Sequence, residues 1–292
     1  MKDLTIVIPV RHMAGRLKHL EAAIADALSL GHKVVVVHDK ADEATEVELR
    51  TIAENQKHEN LDLITGIYNS PGGARNAGVM KVRTQWVTFW DADDRPVVEN
   101  LTDLYRIVES RNADLGVGGY AEVNSIDLSV STFFPKESSD LNSMALAPGI
   151  WRMIFRTELI VNSPFHNTLL AEDQILLSDI KIAKRKIVFL NAVIYNYFSG
   201  NPESLTGRNR KTEDLVDSIS YIFSNIKDEK NVRQREFDWI MLAKQSLTLI
   251  KYGRTQNRIF GVRQFARFVL TAPWTSRQVI FRYMRSKGQS NG

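Results

Sequence analysis

The chain has no cysteine, so disulfides and thiolate metal sites are excluded and any metal must sit on oxygen or imidazole ligands. That leaves hard cations such as magnesium or manganese. No stretch approaches the roughly 18 consecutive apolar residues that span a bilayer. Met1-Lys2-Asp3 followed by Leu4 to Val10 also lacks the basic flank and small-residue cleavage site of a secretory signal, so a cytoplasmic location is the expectation. Acidic residues are missing from one region: between Lys251 and Gly292 there are nine Lys or Arg and no Asp or Glu. The formal net charge of +4 therefore belongs to the tail, and the rest of the chain, with 29 basic against 34 acidic residues, carries about −5. This distribution argues against nucleic acid as a partner, because basic residues would have to line a groove in a mildly acidic body. Repeats, low-complexity segments and nucleophilic serine motifs are absent as well. The composition that remains, 43% apolar over 292 residues, is enough for a sizeable core.

Short β-branched runs alternate with helical spacing through the first third of the chain. Leu4 to Val10 reads as a strand, Leu17 to Leu28 as a helix ending at Gly31, and Val34 to Val37 as a second strand. Ala44 to Ile52 is again helical, Leu61 to Ile67 a strand, Ala74 to Val82 a helix and Trp86 to Trp90 a strand. The fold class implied is α/β, with a mostly parallel, Rossmann-like sheet and helices on both faces. From Ala113 to Phe134 the pattern changes to two adjacent extended stretches, Leu115 to Val123 and Leu128 to Phe134, where a more antiparallel half begins. Beyond Thr212 the spacing is helical almost throughout. The expected organisation is one domain over 1–210, in two halves (1–111 and 112–210), followed by a helical region with a basic amphipathic tail over 211–292.

In open sheets of this kind ligands bind outside the carboxyl ends of the strands. Asp91-Ala92-Asp93-Asp94 lies there, directly after the apolar run Trp86 to Trp90. Three carboxylates in four residues repel one another and cost stability unless a cation is present. A magnesium or manganese ion on Asp93, with Asp91 turned toward a ribose or a shared water, resolves that cost. The competing reading is an acidic turn capping the helix that begins near Val97. Pro71-Gly72-Gly73-Ala74-Arg75-Asn76-Ala77-Gly78 is a glycine turn opening a helix, where free N–H groups favour an anion. It lacks the endings of a P-loop or dinucleotide fingerprint. Arg75 is expected to reach a diphosphate, and Asp39, after the second strand, to accept from a uracil imino group or a ribose hydroxyl. Glu172-Asp173 opens another helical run. Either these carboxylates simply complement the helix dipole, or Asp173 is a general base that deprotonates an acceptor hydroxyl as it attacks an anomeric carbon in line with a departing diphosphate.

Together these features resemble the family 2 inverting glycosyltransferases of the GT-A fold. The resemblance rests on Thr5-Ile6-Val7-Ile8-Pro9-Val10, Asp39, Ala74-Arg75-Asn76-Ala77-Gly78, the Asp91 to Asp94 signature and Glu172-Asp173-Gln174, and covers residues 4–207. It implies Asp39 at the nucleotide base, Asp91 on the ribose side, Asp93 at the metal and Asp173, beside Glu172, as catalytic base. Pro9, Arg75, Asn76 and Asp94 complete the implied substrate contacts. The implied partners are a nucleotide-diphosphate sugar, with a UDP-sugar favoured, and a carbohydrate or lipid-linked carbohydrate acceptor of bacterial surface polysaccharide. The sequence departs from the pattern at His38-Asp39-Lys40-Ala41-Asp42, where the family often has Asp-Asp-Gly-Ser, and this leaves the base open.

Two other readings compete. A nucleotidyltransferase making nucleotide sugars needs a glycine-rich, lysine-bearing signature near the first strand, which Val10 to Gly15 does not supply. A non-catalytic sugar-binding or scaffold protein has no need of Asp173. The tail, Lys251 to Lys287, reads as two basic amphipathic helices. Val262, Phe265, Ala266 and Val269 oppose Arg263 and Arg267, while Ile280, Tyr283 and Met284 oppose Arg282 and Arg285. Such faces suit a peripheral position on the anionic inner face of a membrane. The alternative is that they pack on the catalytic domain or in a homodimer.

Overall fold

The computed structural model describes residues 3–40, 42–135, 141–200 and 212–289, so the boundary expected at 210/211 lies outside the described residues. The chain folds as two compact units. The first comprises Met1–Ser138, Gly149–Thr168 and Arg185–Arg208, and the second Ser139–Pro148, Leu169–Lys184 and Asn209–Gly292.

The first unit is built on a nine-stranded sheet. Its elements are β1 (Leu4–Val10), α1 (Lys18–Ser29), β2 (Lys33–Asp39), α2 (Glu43–Gln56), β3 (Leu61–Gly66), α3 (Pro71–Val79), β4 (Trp86–Phe89), β5 (Arg95–Pro96), α4 (Val98–Ser110), β6 (Leu115–Asn124) and β7 (Val130–Phe133). After α5 (Leu141–Leu146), which belongs to the second unit, it resumes with β8 (Met153–Arg156) and α6 (Thr157–Asn162). Following α7 (Glu172–Asp179), again of the second unit, β9 (Ile187–Ser199) completes the sheet. The strand order is β3-β2-β1-β4-β8-β6-β9-β5, with β7 paired to β6.

β3, β2, β1 and β4 are parallel, as the alternating pattern requires, and β8 turns the sheet antiparallel beside β4. Successive side chains of a strand point to opposite faces. Val36 packs with Ile24 of α1 and Leu49 and Ile52 of α2, whereas its neighbour Val37 faces Gly78 of α3. Helices therefore cover both faces, and β1, β2 and β4 can be apolar on both. Gly78 is required by this packing, since a Cβ there would lie 2.4 Å from Val7 and 3.0 Å from Val37. Pro9 is tolerated within β1 because the last β1–β4 rung is Val7 with Phe89, so its missing N–H faces a point where β4 has ended.

The second unit centres on α9 (Val232–Tyr252), preceded by α8 (Thr212–Asp228) and followed by α10 (Thr255–Thr271) and α11 (Trp274–Gln289). Asn231 caps α9 by accepting from the Gln234 N–H at 2.9 Å. Seven consecutive residues of α9, Phe237 to Ala243, are buried, as in a helix surrounded by others. α5, α8, α10 and α11 all pack on it, so this unit takes in α5 and α7 in addition to the C-terminal helices expected from the sequence.

A polar cluster is buried here. The Glu229 carboxylate is held at about 2 despite its burial, because it accepts from the Asn231 N–H and is paired with Lys184 and Lys181. Asp238 accepts from the Gln234 amide at 3.0 Å, and burial pushes its carboxyl up to about 7. Its folded pKa is thus above the unfolded value. The native state binds more protons than the unfolded chain between about pH 4 and 7, and stability falls as pH rises through that window. Asn imitates the protonated acid. Asp238→Asn should raise unfolding free energy at pH 8 by on the order of 2–4 kcal/mol and leave it little changed at pH 4. Urea titrations at the two pH values measure this, and an equal effect at both would rule it out.

Candidate active site

The carboxyl ends of β1, β2 and β4 carry most of the expected residues of the first unit. β4 is buried on both faces and the following Trp90 is fully buried, donating its N–H to Val7 O at 3.1 Å. The chain emerges as the turn Asp91 to Asp94 and is then laid antiparallel on β9 through Arg95↔Asn196. Two residues of β9 hold the turn: the Asp91 N–H donates to the Tyr195 hydroxyl at 2.9 Å, and the Phe198 N–H donates to Asp94 Oδ1 at 2.7 Å. The capping alternative does not describe this turn. α4 begins after Val97 with no side-chain cap, and Asp94 is directed to β9.

The three carboxylates are unequally neutralised. Arg75, almost completely buried, donates from Nη2 to Asp91 Oδ1 at 2.8 Å and lies over the Phe165 ring. Asp93 reaches solvent, yet desolvation by its surroundings, followed by the Asp91 charge, raises its carboxyl above the usual range. Asp94 is raised much further by burial and by Asp91 and Asp93. Its Oδ2 is buried without a hydrogen-bond partner among the described residues, although the Tyr195 hydroxyl eases its charge. Burial, and then the Asp94 and Asp91 charges, push the Tyr195 phenol up in turn.

The turn therefore carries more negative charge than its protein neighbours offset. That is the donor set a divalent cation would complete with diphosphate oxygens and water, Mg²⁺ in particular using only one or two protein carboxylates. Among the described residues no group of three or more His, Asp or Glu side chains is placed to hold a metal ion by itself. Tyr195→Phe would leave the Asp91 N–H without its acceptor and should cost about 1–3 kcal/mol. Urea unfolding measures it, and no loss of stability would mean that the hydroxyl does not fasten the turn.

Asp39 is buried at the end of β2, where Oδ1 accepts from the Tyr68 N–H at 2.8 Å and the Asn69 N–H at 3.4 Å. Its Oδ2 is 3.4 Å from Arg11 Nη1. The glycine turn behaves differently from the sequence expectation of an open anion site. Ser70 caps α3 by accepting from the Gly73 N–H at 2.9 Å, and a Cβ at Gly72 would lie 2.4 Å from His166 O. The helix end is thus closed by its own cap and by a neighbouring loop. Both polar atoms of the Asn76 amide engage Phe165, donating to its carbonyl at 2.8 Å and accepting from its N–H at 2.9 Å. In this structure Asn76 fastens the loop that follows α6, and Arg75 meets Asp91.

Glu172 and Asp173 belong to the second unit, in the first turn of α7. Glu172 is buried and Asp173 is partly exposed. Their helix starts from Ala171, which has φ of 68° and makes no side-chain cap. A left-handed alanine costs on the order of 1–3 kcal/mol and persists only where its surroundings impose it. Here the Leu169 N–H donates to Asp214 Oδ2 at 2.8 Å, and Gln174 is hydrogen-bonded to Gln245. Tyr195 and Phe198 are the residues of this site that the sequence motifs do not mark. Their only signal there is the aromatic run Tyr195-Asn196-Tyr197-Phe198 in a late strand.

Comparison with known proteins gives a consistent result. The family model described as glycosyl transferase family 2 matches residues 5–150. The poly(ribitol-phosphate) beta-N-acetylglucosaminyltransferase TarP of Staphylococcus aureus is 23% identical over 208 residues, covering 70% of this chain and 55% of TarP. The curated relatives are longer proteins, of which the chain spans about a third to a half. Among solved structures, S. aureus TarS 1-349 in complex with UDP-GlcNAc superposes with a TM-score of 0.74 at 17% identity, covering 96% of this chain and 84% of that TarS 1-349 chain. A Pyrobaculum calidifontis mannosyltransferase in complex with GDP-Man and Mn2+ superposes with a TM-score of 0.60 at 15% identity, covering 97% of this chain and 79% of the other. These likenesses bear out the GT-A fold that the sequence implies.

Proposed function

The chain belongs to the family 2 glycosyltransferases, and on that premise we propose that it transfers a sugar from a nucleotide-diphosphate donor to an acceptor hydroxyl with inversion at the anomeric carbon. The observation that carries this reading is the under-neutralised turn Asp91 to Asp94 at the end of a buried parallel strand. Asp93 would hold Mn²⁺ or Mg²⁺, and the ion when bound offsets the charge of the departing diphosphate. Asp39, buried and fixed by two backbone N–H groups, is suited to receive the base or ribose of the donor. Arg75 pairs with Asp91 and fixes where its carboxylate points, and β9, through Tyr195 and Phe198, holds the turn in place before the donor arrives. Asp173 is the proposed base that takes the proton from the acceptor hydroxyl. Residues 1–111 form the proposed donor half and 112–210 the acceptor half.

UDP-sugars are the favoured donors, supported by the UDP-GlcNAc complex of TarS, with the GDP-Man complex of the mannosyltransferase as the second choice. The proposed acceptor is a carbohydrate or lipid-linked carbohydrate of a surface polymer; the name of TarP gives poly(ribitol-phosphate) as that protein's own acceptor. Calorimetric titration with UDP-GlcNAc and GDP-mannose, each with Mn²⁺ and with EDTA, tests the donor site apart from turnover. One donor should bind, and EDTA should weaken it at least tenfold. Binding unaffected by EDTA would contradict the role of Asp93, and no binding of any nucleotide sugar would contradict the donor site itself.

A further inference from the structure

The second unit presents a surface that sugar transfer does not use. On α10, Ile259, Val262, Ala266 and Leu270 are exposed. At 100° per residue they fall within about 80° of one another, with Arg263 and Arg267 along one edge and Arg258 along the other. Phe268, on the opposite side, is fully buried and packs on Trp239 of α9. Leu270 is 79% and Val262 52% exposed, so this stripe is a free face and not a core face that happens to be wet. α11 repeats the arrangement: Trp274, Phe281 and Met284 are exposed, with Arg282 and Arg285 beside them, while Ile280 is fully buried. The free faces match those expected from the sequence only in part, at Val262, Ala266 and Met284. Ile280 faces inward and Phe265, Val269 and Tyr283 are half-buried, so the exposed stripes lie to one side of them.

A second observation in the same unit concerns charge. An open cleft of about 670 Å³ is lined by Lys227, Arg235 and Arg267 with Phe223, Ile226, Trp239, Thr271 and Pro273, and none of these is acidic. Lys227 lies 4.9 Å and Arg267 4.4 Å from the Phe223 ring centre, so the aromatic ring keeps the two cations close together without neutralising them.

We propose that this face docks on the surface of an anionic lipid bilayer, the apolar stripes of α10 and α11 entering the headgroup boundary and the cationic cleft receiving lipid phosphate. Exposed apolar residues flanked by arginines, with Trp at the edge, are what an interfacial helix needs. Charge decides between a membrane and a second copy of the chain. A two-fold contact through this face would set Arg258, Arg263 and Arg267 against their own counterparts with no Asp or Glu anywhere from Lys251 onward. An anionic surface supplies the missing negative charge. None of the described helices is long and apolar enough to cross a membrane, so the contact is with its surface.

The test is flotation of the full chain with vesicles of phosphatidylcholine and phosphatidylglycerol in equal parts, and with phosphatidylcholine alone, at low and at high salt. The protein should float with the anionic vesicles at low salt and stay behind in the other conditions. Arg258→Gln with Arg263→Gln, both exposed, should lower the partition coefficient about thirtyfold, each basic residue being worth about a factor of five. Val262→Glu with Leu270→Glu should abolish flotation while far-UV dichroism is unchanged. If that variant misfolds, the arginine pair carries the test. Failure of the parent to float with anionic vesicles, equal flotation with neutral ones, or an arginine variant that binds as tightly would each overturn the proposal. A two-chain species in light scattering that Val262→Glu/Leu270→Glu splits, without vesicle binding, would assign the face to a homodimer instead.

Discussion

An Asp93→Ala enzyme should lose transfer to below detection in the presence of Mn²⁺, and chelation should do the same to the parent. Arg75 pairs with Asp91, and Asp94 is occupied on one oxygen by the Phe198 N–H. Asp93 is the most exposed carboxylate of the turn and, unlike Asp91, is not paired with Arg75, so a diphosphate-bound ion would arrive there. Its removal should leave the fold intact, because its side chain supports no strand or helix. The turn should in fact become more stable in the absence of metal, since Asp93 contributes to the raised pKa of Asp94. Loss of activity with unchanged or higher unfolding free energy is the expected pair of results. Activity within tenfold of the parent would remove Asp93 from the mechanism.

Asp173→Asn should separate binding from chemistry. The amide keeps the shape of the carboxylate but cannot accept the hydroxyl proton, so turnover should fall about 10²–10⁴-fold while donor affinity is retained. Loss of both together would indicate that α7, which starts from the left-handed Ala171, has been disturbed. The dichroism and melting profile of the variant distinguish that case. A turnover loss of less than tenfold would place the base elsewhere. Because no nucleophile is invoked, NMR of the first-formed product should show the anomeric configuration inverted relative to the donor, and retention would refute single displacement.

Much of the first unit is legible because the runs of β1, β2 and β4 are short, apolar on both faces and bounded by turn residues. Leu4 to Val10 is such a run, and the structure gives the strand the same limits. Asp91 to Asp94 stands out because a strand buried on both faces delivers three like charges to one point, and only a few arrangements resolve that. What the sequence hides is the partnership of distant residues. Tyr195 and Phe198 lie 104 residues from Asp91 and Asp94, whose backbone N–H and carboxylate they respectively hold, and nothing local in Tyr195-Asn196-Tyr197-Phe198 signals it. Asn76 looks like a ligand contact because it follows Arg75 in a glycine-opened helix, but its amide matches the backbone of Phe165, 89 residues away. Helical periodicity in α10 and α11 locates apolar residues without saying which of them face α9. The packing of Phe268 settles that for α10: Val262 and Ala266 stay on the free stripe, and Ile259 and Leu270 replace Phe265 and Val269.

Nucleotide-sugar transfer that depends on the Asp91 to Asp94 turn is tested most directly by the release of nucleoside diphosphate. Release from a panel of UDP-, GDP- and dTDP-sugars can be followed with Mn²⁺ present, for the parent chain and for Asp93→Ala. The expected result is slow hydrolysis of one donor, a UDP-sugar, by the parent alone, abolished by EDTA. Release from no donor in the panel, or equal release by the parent and Asp93→Ala, would contradict it.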